Sequence, residues 1–197
     1  MKIFKLCIVC VIAGCVCLAA AAVSVQEQQQ VLSSKLIRLH VIAASDDDTD
    51  QTRKLLVRDA VLSEIHKQKW HSREAAIAWL GENLDLLADI SQSVLEQNGS
   101  VEPVSVSLGH EIYPTRYYDN FTLPAGDYIS LKITIGEGMG KNWWCVVYPA
   151  ICMPGASDAL TATAASAGLT RNEITLITEE TADIKIKFKL LELLNFL

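Results

Sequence analysis

The sequence predicts an α+β domain in which helices pack on one face of a mixed or antiparallel sheet, preceded by an N-terminal signal peptide or signal anchor. Three observations carry this. An alternating, strand-like segment at 35–44 comes first, two helix-periodic stretches follow between 53 and 98, and from Val101 the apolar pattern switches to a period of two. The order is strand, helix, helix and then several strands, not the strict strand–helix alternation that builds parallel α/β folds. At 197 residues the chain suits one domain with short appendages.

Residues 1–24 form the leader. Lys2 and Lys5 precede an apolar run from Leu6 to Ala22, and Ala20, Ala21 and Ala22 supply the small residues of a cleavage site. The same run is just long enough to span a bilayer, so cleaved signal peptide and retained anchor are both open. Ile12-Ala13-Gly14-Cys15 also has the look of a lipoprotein box, but the chain stays apolar after Cys15. Either way the body faces outward. Loss of the leader takes Lys2 and Lys5 with it, moving the net charge from −6 to −8. An acidic body without Lys/Arg runs excludes nucleic acid as a partner, because affinity there comes from neutralising phosphates.

Residues 25–34 are Gln-rich and read as a polar spacer. In the following strand Leu36, Arg38, His40 and Ile42 share one face and Ile37, Leu39 and Val41 the other, which is apolar enough on both sides for a central position. Asp46, Asp47, Asp48 and Asp50 then open a helix that Lys67 and Lys69 close, complementing its dipole at both ends. Ser72 caps a second helical stretch that runs to Asn98-Gly99, with Gly81 as the point of bending. Strands are predicted around 104–110, at 128–135 and at 143–148, and Leu123-Pro124-Ala125-Gly126-Asp127 has the punctuation of a turn. Residues 154–170 are rich in small residues and read as a linker or a weak helix. Residues 171–197 read as a strand, with Ile184, Ile186 and Phe188 alternating with lysines, and a short Leu-rich helix.

The tests for chemistry come out negative. Asp46, Asp48 and Asp50 space like the opening of a calcium loop, but Gln51 replaces the required glycine and Val57 the bidentate glutamate. Gly136, Gly138 and Gly140 precede a strand, not the helix that a dinucleotide fingerprint needs, so they serve loop geometry. The four histidines have no metal-ligand spacing, and no metal or cofactor is expected. G-x-S-x-G is absent, and the single C-x-x-C, Cys7 and Cys10, lies in the leader. Only Cys145 and Cys152 remain in the body, where they form either a disulfide or two buried thiols. What is left is binding. Asn142-Trp143-Trp144 is the densest aromatic run, and aromatic anchors of this type dominate interface energetics. Adjacent in a strand, Trp143 and Trp144 must face opposite ways.

Lys35 to Ala43 with Ser45-Asp46, then Val57-Arg58-Asp59-Ala60-Val61, Tyr113-Pro114-Thr115-Arg116, Leu123 to Tyr128, and Ile135 to Val146 together resemble the stage II sporulation protein R family over residues 35–153. That resemblance implies a protein exported from the forespore into the space beside the mother cell. There it would activate a membrane-embedded aspartic peptidase that matures the sigma-E precursor, acting as a signal and not as an enzyme. Arg116, Asn142, Trp143 and Trp144 are the candidate contacts. The competing expectation is an exported hydrolase or cell-wall-binding domain using acids such as Asp59 and Glu137.

Overall fold

The computed structural model describes residues 12–13, 23, 26–118, 121–151 and 157–178, with the side chains of 157–159 left aside. Most of the leader, Cys152 and residues 179–197 of the strand and short helix expected over 171–197 lie outside the described residues; the first part of that stretch, Arg171–Thr178, is a helix. No helix among the described residues is long and apolar enough to cross a membrane.

Helical residues 26–33 (α1) lead into β1, Ile37–Ile42. Three helices follow: α2 (Asp48–His66), α3 (Arg73–Glu82) and α4 (Leu84–Gln97). Then come β2 (Val104–Tyr113), the two-residue strands β3 (Arg116–Tyr117) and β4 (Thr122–Leu123), β5 (Gly126–Ile135), β6 (Asn142–Tyr148), α5 (Ser157–Ser166) and α6 (Arg171–Thr178). The main sheet runs β2-β5-β1-β6. It is mixed: β1 is parallel to β5 and antiparallel to β6, and β2 is antiparallel to β5. β3 and β4 form a separate small hairpin.

The α+β class, the mixed sheet and the central place of β1 agree with the sequence pattern. Every residue of β1 is buried, as a strand covered on both faces requires. Ile37, Leu39 and Val41 join Leu131, Ile133 and Ile135 of β5 and Cys145 and Val147 of β6 under α2, α3 and α4, which contribute Val57, Val61, Ile65, Leu80, Leu87 and Leu95. Each such side chain contributes about 1.5–3 kcal/mol by leaving water.

The expectation of helices on one face needs correction. A second cluster on the opposite face joins Leu32 of α1, Tyr113, Phe121, Leu123, Tyr128 and Val146 to Leu160, Ala164, Ile174 and Ile177 of α5 and α6. With Arg38 and His40 pointing there from a buried strand, that face cannot be left to solvent. The polar spacer is likewise a helix, and it buries Gln29, Leu32 and Ser33 against the body. The linker-or-helix alternative at 154–170 resolves to helix over Ser157–Ser166.

Local signals explain most boundaries. The aspartates sit where the sequence placed them, with Asp48 and Asp50 in the first turn of α2. Burial-opposed hydrogen bonds from Ser45 and Arg53 hold the Asp50 carboxyl below the usual range, the Ser45 bond being the strongest influence. Ser72 accepts from the amide of Ala75 and caps α3. The helical stretch after Ser72 breaks at Asn83, not at Gly81, because Asn83 leaves helical geometry and its side-chain amide turns back to the Trp79 carbonyl.

Candidate interaction site

On the second face of the sheet the polar residues of β1, β2, β5 and β6 are brought into one network by strand register. Arg38 is fully buried. Its Nε donates to the Cys145 carbonyl at 3.2 Å and its Nη2 to the Tyr118 hydroxyl at 2.7 Å. Its guanidinium carbon lies 4.2 Å from the Tyr113 ring centre and 5.0 Å from that of Tyr128. No carboxylate pairs with it among the described residues. The aromatic faces and the two oxygens compensate the buried cation instead.

Two residues along β1, His40 is held at both ring nitrogens. Nδ1 lies 2.9 Å from Glu111 Oε1, and Nε2 lies 2.8 Å from Asn142 Oδ1. Its ring stacks on Trp144 at 3.7 Å between centres and 17° between planes. Ser130 donates to Glu111 Oε2 at 2.8 Å, and the Tyr113 hydroxyl, 2.7 Å from Ser130 Oγ, supplies the next donor in the chain. Burial works to raise the Glu111 carboxyl, but the bonds from His40 and Ser130, with the charges of His40 and Lys132, outweigh it and hold it at about 2. Burial pushes the hydroxyls of Tyr113, Tyr118 and Tyr128 up, so they stay neutral.

This geometry does not assemble a nucleophile. An activated serine must give its proton to the imidazole. Here Ser130 and His40 both address the same carboxylate, and Ser130 is 2% exposed. The network locks four strands together.

Because the folded Glu111 carboxyl lies below its ordinary 4.5, its contribution to stability is complete above that value and fades as the pH falls towards 2. Its size is on the order of 2 kcal/mol after allowing for partial exposure. Thermal melts between pH 6 and pH 2.5 should show this loss, and Glu111→Gln should flatten the acid limb; an unchanged limb would contradict the assignment.

Arg116, Asn142 and Trp144 are brought together around this network. The Arg116 guanidinium lies 4.6 Å over Trp144, and Trp144 meets Tyr113 edge-on at 4.6 Å. Burial, with nearby Arg38, lowers the Arg116 pKa. Trp143 is not part of the group. It faces the helical layer, 4.2 Å from the Arg58 guanidinium, and keeps 37% of its surface exposed. The opposite orientation of the two tryptophans follows from the strand pleat. Asp59 is an exposed partner of Arg58, and Glu137 stands exposed between Gly136 and Gly138 in the turn from β5 to β6. No hydrogen bond or ion pair joins Asp59 and Glu137 among the described residues. The glycines act as loop residues, Gly136 and Gly138 taking φ of 58° and 64°. Among the described residues no three His, Cys, Asp or Glu side chains group as metal ligands.

Arg38, His40, Glu111, Tyr113 and Ser130 were not singled out from the sequence. A signal existed: two basic residues on an otherwise apolar central strand demand buried partners. Which partners depends on register.

The fold and network define an α+β domain whose second face is organised by a buried arginine and a clamped histidine. A sequence model described as stage II sporulation protein R matches residues 33–158, more than half of the chain, and the chain belongs to that family. It is also 37% identical over 131 residues to the stage II sporulation protein R of Bacillus subtilis (strain 168). That match covers 64% of this chain and 58% of the relative, so the similarity spans little more than half of the relative's length. No solved structure matches the chain.

Proposed function

We propose that the protein is an exported sporulation signal that activates a membrane-embedded aspartic peptidase and so triggers maturation of the sigma-E precursor in the mother cell. Its family membership over residues 33–158 carries this reading. The leader would deliver the body across the membrane, either released or anchored by residues 6–22. The body acts by binding, favouring the active state of the peptidase over the inactive one through differential affinity.

Within this reading Trp143 and Asn142 offer the contacts. Both are exposed at the start of β6, and Trp143 is stiffened by Arg58. Trp144 and Arg116 support that strand from behind. Co-expression of the protein with peptidase and precursor tests the whole idea: processing that depends on the protein is expected, and its absence would overturn the proposal. In that assay Trp143→Ala should reduce processing at least about tenfold with the melting curve intact, the size typical of an aromatic anchor. Full activity would remove Trp143 from the contact surface.

Export also makes a Cys145–Cys152 disulfide reasonable. The chain-entropy model assigns so short a loop about 2.5 kcal/mol. Alkylation of the unfolded protein before and after reduction should show Cys145 and Cys152 becoming reactive only on reduction; labelling of both before reduction would refute the bond.

A further inference from the structure

β2 is an edge strand of ten residues that pairs with β5 without a break in register. Gly136 donates to the Pro103 carbonyl across the pair, whereas the Val104 amide turns away from β5 to Gln92 of α4. The odd-numbered residues of β2 therefore direct their backbone groups at β5 and the even-numbered ones direct them outward. Gln92 covers the Val104 end. The outward amides and carbonyls of Val106, Leu108, His110 and Ile112 have no hydrogen-bond partner among the described residues. Edges of this kind are ordinarily blunted by lysine, proline, a bulge or a covering segment. Among the described residues this one has none of these, and Ile112 is 70% exposed.

Gly109 adds an independent observation. It lies mid-strand without a positive φ, and a Cβ placed on it would meet nothing within 4 Å. Nothing inside the monomer calls for glycine there, although glycine weakens a strand interior by roughly 0.5–1 kcal/mol. A strand glycine otherwise marks the close approach of another backbone.

We infer that β2 is a dimer interface, to which a second copy adds its own β2 antiparallel about a two-fold axis at Gly109. This register alone sets all four unpaired residues of each strand against each other, Val106 against Ile112 and Leu108 against His110, forming about eight hydrogen bonds. Gly109 faces its own copy across a non-hydrogen-bonded position, where Cα atoms approach to about 4.5 Å. Glu111 faces Ser107, so no like charges are opposed, and the exposed Ile112 is covered by Val106. The two sheets join into one continuous sheet.

The test uses the exported protein, with the unsubstituted chain as blank for its native cysteines. Gly109→Cys should give an oxidised dimer in high yield, and Ser107→Cys, opposite Glu111, should not. Light scattering of the unsubstituted protein should report twice the chain mass at micromolar concentration. His110→Pro removes one outward donor per copy without touching the β5 pairing, and should weaken association at least about tenfold with an unchanged circular dichroism spectrum. A chain that stays monomeric at high micromolar concentration, or cross-links as well through residue 107 as through 109, overturns the proposal. So does a monomer that uses this edge to take up a strand of the peptidase. None of these readouts requires peptidase activation, so failure here is distinct from failure of the proposed function.

Discussion

Arg38→Ala is expected to cost about 3–5 kcal/mol, enough to unfold a marginally stable domain in part at growth temperature. The substitution opens a cavity between Tyr113 and Tyr128 and removes the donor to both the Tyr118 hydroxyl and the Cys145 carbonyl. Arg38→Met should behave very differently. It keeps most of the volume and deletes a buried charge that no carboxylate pairs among the described residues, and such replacements are often neutral or stabilising. Denaturant unfolding of the two variants separates cause from cause. If methionine costs as much as alanine, the charge itself holds the second face together; if alanine costs under 1 kcal/mol, the packing around Arg38 is looser than its burial indicates.

Gly140→Ala should be nearly as damaging, at about 3 kcal/mol or a melting point lower by about 6–12 °C. A Cβ there would run into the Ser45 carbonyl oxygen and come within 2.6 Å of its carbon. Both are main-chain atoms, and neither can step aside. The same turn is stitched to the end of β1 by Gly140 N to Ala43 O at 2.9 Å and Lys141 N to Asp46 Oδ1 at 2.8 Å. Gly81 offers the contrast, since a Cβ in that helix meets only Leu108 Cδ2 at 4.0 Å. Gly81→Ala should therefore raise stability by about 0.5–1 kcal/mol. Melting both variants against the parent checks the pair, and a harmless Gly140→Ala would mean that the turn does not press on Ser45.

What could be read from the chain follows the range of the interactions involved. The strand 37–42, the aspartate-led α2 and the Ser72 cap are set by neighbours within a few residues, and periodicity and capping reveal them. The helix at 26–33 carried too few apolar residues to look like one, because it is stabilised by docking Gln29 and Leu32 on a surface made by distant strands. The β3–β4 hairpin is two residues per strand, below what a period-two pattern can register. For the site, the Asn-Trp-Trp run showed where aromatic density lies and that its two rings must diverge. It could not show that Asn142 and Glu111 clamp His40 from two different strands, since that needs the pairing of His40 with Trp144 on one side and Lys132 on the other.

The central position of β1 also constrains when the fold can form. Ile37 pairs with Ile129 and Arg38 with Val146, so the first strand of the body has no partner until nearly the whole of the sheet-forming chain is present. Contacts this far apart in sequence are made late and slowly, because the loop between them must close first. In a chain that emerges N-terminus first, β1 therefore has no strand partner until β5 is out, and is flanked on both sides only once residue 148 has followed. The topology of the sheet thus makes completion of its central strand a late event, whatever order the helices form in.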